Sequence, residues 1–173
     1  MSAGGHSWPD LSDPLADRAG YRKALGRFPT GVAFVATRSP DGRQVGMLIN
    51  SFASVSLDPP LVLWSIGLES KCRGAFVAAP GFAISILSED QRCLIEALGR
   101  PHEQRLEGIP VRKGLSGAPV LDDAAAAFEC ATHSIRRAGD HEIIIGKVER
   151  FERRECAPLA FLAGKFGCVN VAA

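Results

Sequence analysis

The sequence predicts a mainly β protein, folded as a closed or partly closed antiparallel barrel with a few short flanking helices. Three observations support this prediction. Short apolar runs of strand length recur along the chain, turn residues join several of them as hairpins, and the few helical patterns do not alternate regularly with the strands. A parallel α/β sheet would need that alternation, so the antiparallel arrangement is the better prediction.

The predicted helices begin at recognisable signals. Asp13 is placed as an N-cap before Pro14. The pair Ser88 and Gln91 fits a capping box at the start of a later helix. In order, we predict a helix from Asp13 to about Gly26, strands at 32–37, 44–49 and 61–66, a short helix at 75–79, a strand at 82–87 and a helix from Ser88 to Leu98. A long loop is predicted at 100–119. Two strands follow, one at 126–135 and one at 142–148, and the second of them extends to about Phe151.

Turn residues support two hairpins in this order of elements. Ser39-Pro-Asp-Gly42 joins the first two strands, and Ala138-Gly-Asp-His141 joins the last two. The loop at 100–119 contains His102, Arg105 and Lys113, and loops of this length are usually functional or mobile.

Length and composition predict one domain. The 173 residues, 46% hydrophobic and 23% charged, are enough to bury a core of ordinary size. We predict a single domain at 13–173. Residues 1–12 combine Gly, Ser, Pro and His without periodicity, so they are predicted to be a mobile N-terminal tail.

Charge and hydropathy limit the expected partners. A net charge of +1 gives no basic field, so we expect no nucleic-acid partner. Because the chain has neither an apolar run of membrane-spanning length nor a signal-peptide pattern at its start, we expect no membrane association and a cytoplasmic location. The five cysteines are widely spaced, which predicts reduced thiols and no metal site.

One stretch, 46–60, has an unusual mixture of residues. It begins like a buried strand and then introduces short polar side chains at Asn50, Ser51, Ser54 and Ser56. Such a wall suits a flat ligand with apolar faces and polar edges. The pattern alone leaves open a second interpretation, a polar bulge or turn between two strands.

Two further sites carry the same ambiguity. The run from Ser70 to Arg73 precedes a predicted helix, whose free N–H groups and positive dipole end attract phosphate, and Lys71 adds charge. It could equally be a capped helix with exposed cations. His141 could be a site residue or a solvent-exposed turn residue. The sequence contains neither a Gly-x-Gly-x-x-Gly pattern nor a P-loop pattern. It therefore gives no support for a Rossmann-type or a P-loop nucleotide site.

Five motifs occur in an order and spacing that resemble a known family. They are Phe28-Pro-Thr-Gly-Val32, the segment 50–60, Phe82-Ala-Ile-Ser-Ile-Leu87, Gly139-Asp-His141 with Ile145-Gly146, and Pro158-Leu to Gly164-Lys-Phe166. From about residue 20 to residue 168, the chain resembles the flavin reductase-like family with the FMN-binding split barrel, particularly the reductase components of two-component flavin-dependent monooxygenases.

The resemblance implies a homodimeric antiparallel split barrel of Greek-key type. It implies that the protein binds FMN or FAD, accepts a hydride from NADH or NADPH, and supplies reduced flavin to a partner oxygenase component. The implied cofactor-binding residues are Met47, Leu48, Ile49, Asn50, Ser51, Ser54, Val55 and Ser56 around the flavin ring; Ser70, Lys71, Cys72 and Arg73 at its phosphate; and His141, Lys165 and Phe166 near the nicotinamide. Many relatives have a small or hydroxyl residue at the position of Leu48 and a tyrosine at that of Phe166.

Hydride transfer between these cofactors needs little acid–base machinery, so no catalytic side chain is predicted. The two rings must approach closely, and small residues such as Ala53 and Ser54 would leave one flavin face open. Two other functions remain open at this point. The protein could be a flavin-binding electron-transfer or sensor protein without reductase activity, or a barrel that has lost flavin and serves as an interaction domain.

Overall fold

The computed structural model describes residues 11–100 and 106–169. The helices among them are α1 (Arg18–Leu25), α2 (Arg73–Ala78) and α3 (Ile95–Leu98), with 3₁₀ helices at Glu89–Leu94 and Leu115–Gly117. The strands are β1 (Thr30–Gly31), β2 (Ala33–Arg38), β3 (Gln44–Ile49), β4 (Ala53–Leu57), β5 (Pro60–Gly67), β6 (Gly81–Ile86), β7 (Val111–Lys113), β8 (Pro119–Leu121), β9 (Ala126–Ala138), β10 (His141–Arg153), β11 (Leu159–Leu162) and β12 (Lys165–Cys168).

The described chain is mainly β, and its paired strands are antiparallel. The largest sheet has seven strands in the order β3-β2-β6-β9-β10-β5-β4. A second sheet contains β1, β11 and β12, and β7 pairs with β8. The long hairpin of β9 and β10 lies in the middle of the large sheet and joins its two halves. The predicted antiparallel, mainly β architecture is confirmed.

Two apolar clusters form the core. In the first, Trp64 contacts Phe76 and Phe82 edge to face, with ring centroids 4.8 and 5.8 Å apart. The second cluster includes Phe34 and Leu159 and packs beneath α3 and β11. Aromatic pairs at such distances add to the free energy gained by burial. The first cluster therefore gives β3, β5 and α2 a common rigid support.

The hairpins and the capping box predicted from sequence are confirmed. β2 pairs with β3 and β9 pairs with β10, in each case through the predicted turn. Ser88 N–H donates to Gln91 Oε1 at 3.2 Å in the capping box that begins the helix ending at Leu98. These features depend on local sequence, which explains why they could be predicted.

The predicted start of the first helix was wrong. α1 begins at Arg18, and the Asp17 side chain accepts a hydrogen bond from the Gly20 N–H as its N-cap. Asp13 instead caps a separate turn, where its carboxylate accepts from Leu15 N–H at 2.8 Å. Aspartate stabilises both arrangements, so composition alone did not distinguish them.

Three strands or strand pairs were not predicted. The polar segment contains β4, the loop at 100–119 contains β7 and β8, and the C-terminal piece folds into the β11–β12 hairpin. His102 and Arg105, and residues 1–10 of the predicted tail, lie outside the described residues. Within the described part of the chain, none of the helices is long and apolar enough to cross a membrane.

Candidate functional site

The polar segment after β3 is held in place by two side chains and leaves a third exposed. Ser51 Oγ accepts a hydrogen bond from the Ser65 N–H at 3.0 Å. Phe52 stacks on Phe128, with ring centroids 5.4 Å apart. Asn50 precedes these anchors and is exposed, in the wall of a cleft. The segment is thus fixed by its neighbours while its amide side chain remains accessible.

The residues of β3 before Asn50 divide between the two core clusters. Ile49 is buried in the cluster around Trp64, and Met47, which is half-buried, packs against that cluster. Leu48 points to the other cluster, against which Phe166 also packs. The structure therefore places Leu48, predicted to contact the flavin, and Phe166, predicted to lie near the nicotinamide, against the same apolar cluster.

β4 carries the remaining candidates for the flavin wall. It pairs with β5 at the edge of the large sheet, and the register shifts between Ser54 and Ser56. Such a shift marks a β-bulge, which turns side chains away from regular alternation. Ser54 and Val55 are exposed and Ser56 is half-buried. The β-bulge, which the sequence pattern allowed as a second interpretation of this polar stretch, is present. A role of these residues in ligand binding stays a prediction.

The segment predicted to hold a phosphate lies against β3. Cys72 is buried, and its Sγ is 3.8 Å from the carbonyl oxygen of Gly46. Ser70 Oγ accepts from the Cys72 N–H at 3.3 Å. Lys71 between them is exposed. The contact with Gly46 places the exposed lysine beside the beginning of β3, four residues before Asn50.

Arg73 has a different environment from Lys71. Its guanidinium donates from Nε and Nη2 to both carboxylate oxygens of Glu142, at 2.8 and 2.6 Å. These hydrogen bonds lower the pKa of Glu142 and raise the pKa of Arg73. Arg73 is therefore engaged in a bidentate ion pair, and a phosphate at this segment would have to rely chiefly on Lys71.

His141 lies near this segment. It opens β10 opposite Gly67 on β5, and its Nδ1 is 2.7 Å from Oδ1 of Asp140, a hydrogen bond that lowers the pKa of Asp140. The Leu68 N–H donates to the carbonyl of Asp140 at 2.9 Å. The turn before β10 is thus tied to the chain that leads into Ser70.

Lys165 and Phe166 lie in the second sheet. They belong to β12, whose partner β11 is joined to the chain after β6 through the Leu159 N–H and the Leu87 carbonyl. No strand pairing or hydrogen bond among the described residues joins His141 to Lys165, and the single nicotinamide site that the resemblance implied for both stays a prediction.

Two clefts flank the β11–β12 turn. The larger, of about 980 Å³, lies between α1 and that turn, and Asn50 and Thr30 contribute to its wall. The other, of about 610 Å³, includes Lys165 and Phe166. Sequence reasoning missed the cationic side chains of the larger cleft, which are Arg18, Arg22, Lys23 and Arg27. Their close spacing in the first helical segment was the signal that could have identified them.

These features define a class of protein. Gly46 contacts the segment predicted to bind phosphate, and Asn50 lies in the cleft wall. Four steps of extended chain, roughly 13 Å, lead from Gly46 along β3 to Asn50. From Asn50 to Ser56 the chain offers polar groups next to apolar surface. No group of three or more His, Cys, Asp or Glu in residues 11–100 and 106–169 could hold a metal ion. The fold is that of a mainly antiparallel β protein, and the exposed polar groups next to apolar surface match the predicted wall for a flat organic cofactor.

Comparison with known proteins identifies the family. Residues 25–169 match the flavin reductase like domain, and the chain belongs to that family. It is 44% identical over 147 residues to FMN reductase (NADH) SmoA of Agrobacterium fabrum, across 85% of this chain and 83% of that protein.

Solved structures are similar over nearly the whole chain. NADH:FAD oxidoreductase SgcE6 of Streptomyces globisporus superposes with a TM-score of 0.86 and 34% identity, covering 96% of this chain and 95% of that one. Nitrilotriacetate monooxygenase component B of Mycobacterium thermoresistibile gives 0.85 and 32%, with 93% of each chain covered. The family predicted from the five sequence motifs is confirmed.

Proposed function

We propose that this protein is an NAD(P)H-dependent flavin reductase, which transfers a hydride from NADH or NADPH to FMN or FAD and supplies reduced flavin to a partner monooxygenase. Its relatives carry names of this activity, among them FMN reductase (NADH), NADH-dependent FAD reductase and the reductase component of trigonelline monooxygenase. The single observation in the structure that supports the proposal most is that the segment with the exposed Lys71 contacts β3 at Gly46, while the exposed Asn50 directly follows the same strand.

The residues present fit a flavin in two respects. Lys71 is exposed and makes no ion pair with another described residue, so its charge is available to a phosphate. Asn50 and Ser54 offer exposed donors and acceptors for the polar edge of a ring. A bound flavin would supply the redox chemistry. The protein's part is to orient the ring and, with the small residues Ala53 and Ser54, to leave one face open to the nicotinamide.

Steady-state kinetics test the proposal. Purified protein is mixed with NADH or NADPH and with FMN or FAD, and the loss of nicotinamide absorbance is followed for the four combinations. We expect turnover with at least one combination, and the ratio of kcat/KM values identifies the preferred pair. Absence of oxidation with every combination would overturn the assignment.

We also propose that the large sheet closes into a split barrel. β3 and β4 are the two edges of seven strands, yet only residues 50–52 connect them. Four Cα steps span at most about 14 Å, whereas the edges of a flat sheet of this width would be roughly 29 Å apart. The short connection therefore supports a rolled sheet whose edges approach each other.

A homodimer is the assembly that we propose. The resemblance stated from the sequence motifs implies this assembly. Large apolar side chains also remain exposed on β4 and β10, among them Leu57 at 94% and Phe151 at 71%. Exposed apolar surface on an edge strand is usually covered by another chain.

The proposed location is the cytoplasm, where nicotinamide nucleotides are regenerated and thiols stay reduced. All five cysteines are free, and Cys93, Cys156 and Cys168 are exposed. Exposed free thiols are typical of reducing compartments. Cell fractionation tests the location, and recovery of the native protein outside the cytoplasm would contradict it.

A further inference from the structure

The cleft between α1 and the β11–β12 turn has an unusual charge balance. Its described lining contains four cations, Arg18, Arg22, Lys23 and Arg27, and no carboxylate. None of the four forms an ion pair with a described residue. The acidic residue nearest in sequence is Asp17, which does not line the cleft; its carboxylate accepts a hydrogen bond from the Gly20 N–H as the N-cap of α1. The cleft therefore carries a concentrated positive charge without an internal counter-charge.

The arrangement of these cations works against the helix that carries them. Arg18 and Arg22 are four residues apart and lie on one face, where like charges repel and destabilise a helix. α1 has no buried residue to compensate for that repulsion. Arg18, Arg22 and Lys23 of α1 line the cleft together with the apolar Ala19 and Leu25, so an anion bound there would offset the repulsion among the cations.

Other features of the wall suit an aromatic nucleotide. Phe28, 75% exposed, and Phe161 present ring surface to the cleft, and bases stack readily on such rings. Thr30 also belongs to the wall, and its Oγ1 is buried without a hydrogen-bond partner among the described residues. Buried hydroxyl groups normally form a hydrogen bond. The Thr30 hydroxyl is therefore a group in this wall to which a ligand could form a hydrogen bond.

We propose that this cleft binds the adenosine 5′-phosphate half of a dinucleotide, with Arg18 and Arg22 at the phosphates and Phe28 against the adenine. NAD(P)H and FAD both contain this half, and NAD(P)H is the source that agrees with the flavin placement proposed above, because the AMP of FAD would extend from the phosphate end at Lys71 whereas the cleft adjoins Asn50. The choice of dinucleotides rests on the proposed reductase function, whereas the anionic nucleotide chemistry rests on the cleft itself. Because Asn50 lies in the same wall, the reactive half of the dinucleotide would extend toward the predicted flavin site.

Binding of AMP to the purified protein tests this subsite without turnover. Titration calorimetry compares the unaltered protein with the double variant Arg18→Gln/Arg22→Gln. The matched control, Arg92→Gln/Lys113→Gln, removes the same charge from exposed positions outside the cleft. We expect the cleft variant to weaken AMP binding about tenfold and the control to change it less than about twofold.

The source of the AMP group is resolved by comparing each dinucleotide with its mononucleotide. Weaker binding of NADH with unchanged binding of reduced nicotinamide mononucleotide assigns the cleft to the nicotinamide cofactor. Weaker binding of FAD with unchanged binding of FMN assigns it to the flavin. The first result supports the proposal as stated; the second supports the AMP subsite but contradicts the placement of the flavin phosphate at Lys71. Thermal unfolding confirms that the variants are folded.

Three outcomes would overturn the proposal. They are unchanged AMP affinity in the cleft variant, equal losses for dinucleotides and mononucleotides, and a change of oligomeric state without a change in AMP affinity, which would assign the cleft to a second copy of the chain. If only the reductase assay failed, the proposed reductase function would be contradicted, but AMP binding to the cleft would still be tested, because it is measured without hydride transfer.

Discussion

Lys71 is exposed between Ser70 and the buried Cys72, on the segment that contacts β3. If it holds the flavin phosphate, Lys71→Ala removes one charge-assisted hydrogen bond from phosphorylated flavins only. We expect the dissociation constants of FMN and FAD to rise about tenfold and that of riboflavin to change less than about twofold. Fluorescence titration of the three flavins measures this difference.

Lys113→Ala provides the matched control, because Lys113 is also an exposed lysine but lies on β7, in a different sheet from β3 and outside the segment 70–73. The control should change none of the three dissociation constants. Equal losses for FMN, FAD and riboflavin in Lys71→Ala would show that the lysine supports the segment generally and would contradict the phosphate assignment.

The ion pair of Arg73 and Glu142 predicts a pH-dependent contribution to stability. Because the pKa of Glu142 is lowered in the folded protein, its contribution is present above the pKa of the unfolded chain and is lost as the pH falls through the folded-state pKa. Urea unfolding should therefore show Glu142→Gln less stable than the unaltered protein at neutral pH, with the difference shrinking in acid.

Arg73→Gln is the complementary variant, and the double variant completes a thermodynamic cycle. The coupling energy between the two positions should be favourable at neutral pH and decrease in acid. A stability difference that is the same at both pH values would mean that packing, and not ionisation of Glu142, determines the effect.

At the scale of the element, the position of β3 depends on a residue without a side chain. A Cβ at Gly46 would lie 2.2 Å from Cζ of Phe34, which is fully buried. Gly46→Ala should therefore overpack the core and lower the free energy of unfolding by about 1–3 kcal/mol. Urea denaturation measures the loss.

Gly31→Ala on β1 is the control for that substitution, because nothing lies within 4 Å of a Cβ at Gly31. It should leave stability nearly unchanged. A Gly46→Ala protein as stable as the control would mean that Phe34 moves aside easily, and that the close approach of β3 to the core does not fix the flavin wall.

At the scale of the whole molecule, Leu57 tests the proposed dimer. It is 94% exposed on the edge strand β4, and a buried charge at an interface is costly when it has no partner. Leu57→Glu should convert a dimer into a monomer, measured by size-exclusion chromatography with light scattering. Val77→Glu, at an exposed apolar position on α2, should leave the dimer intact. A dimer that persists in Leu57→Glu would exclude the β4 edge from the interface.

Features that depend on neighbouring residues could be predicted from the sequence. The turn at Ser39–Gly42, the capping box at Ser88 and the two principal hairpins all follow from local residue chemistry, and the ordered motifs identified the family. The polar interruption at Asn50 also marked the end of β3 and the beginning of the candidate site.

Other features required the tertiary structure because they join residues distant in sequence. The pairing of Arg73 with Glu142 spans 69 positions, and it separates the role of Arg73 from that of its neighbour Lys71. The strand β4 exists because β5 supplies its hydrogen-bond partners, although its own residues are small and polar. The cations of α1 could be recognised as part of a candidate binding site only from the structure, because the β11–β12 turn forms the other side of the cleft that they line.

By itself, therefore, the sequence determined the family, the mainly antiparallel β architecture and the stretch around which the site is built. Only the tertiary structure decided which candidate charges are engaged in ion pairs, that His141 and Lys165 belong to different sheets, and where an unbalanced positive cleft adjoins Asn50. The physical reason is that propensity and turn chemistry act over a few residues, whereas ion pairing, cleft formation and cofactor geometry depend on long-range strand order.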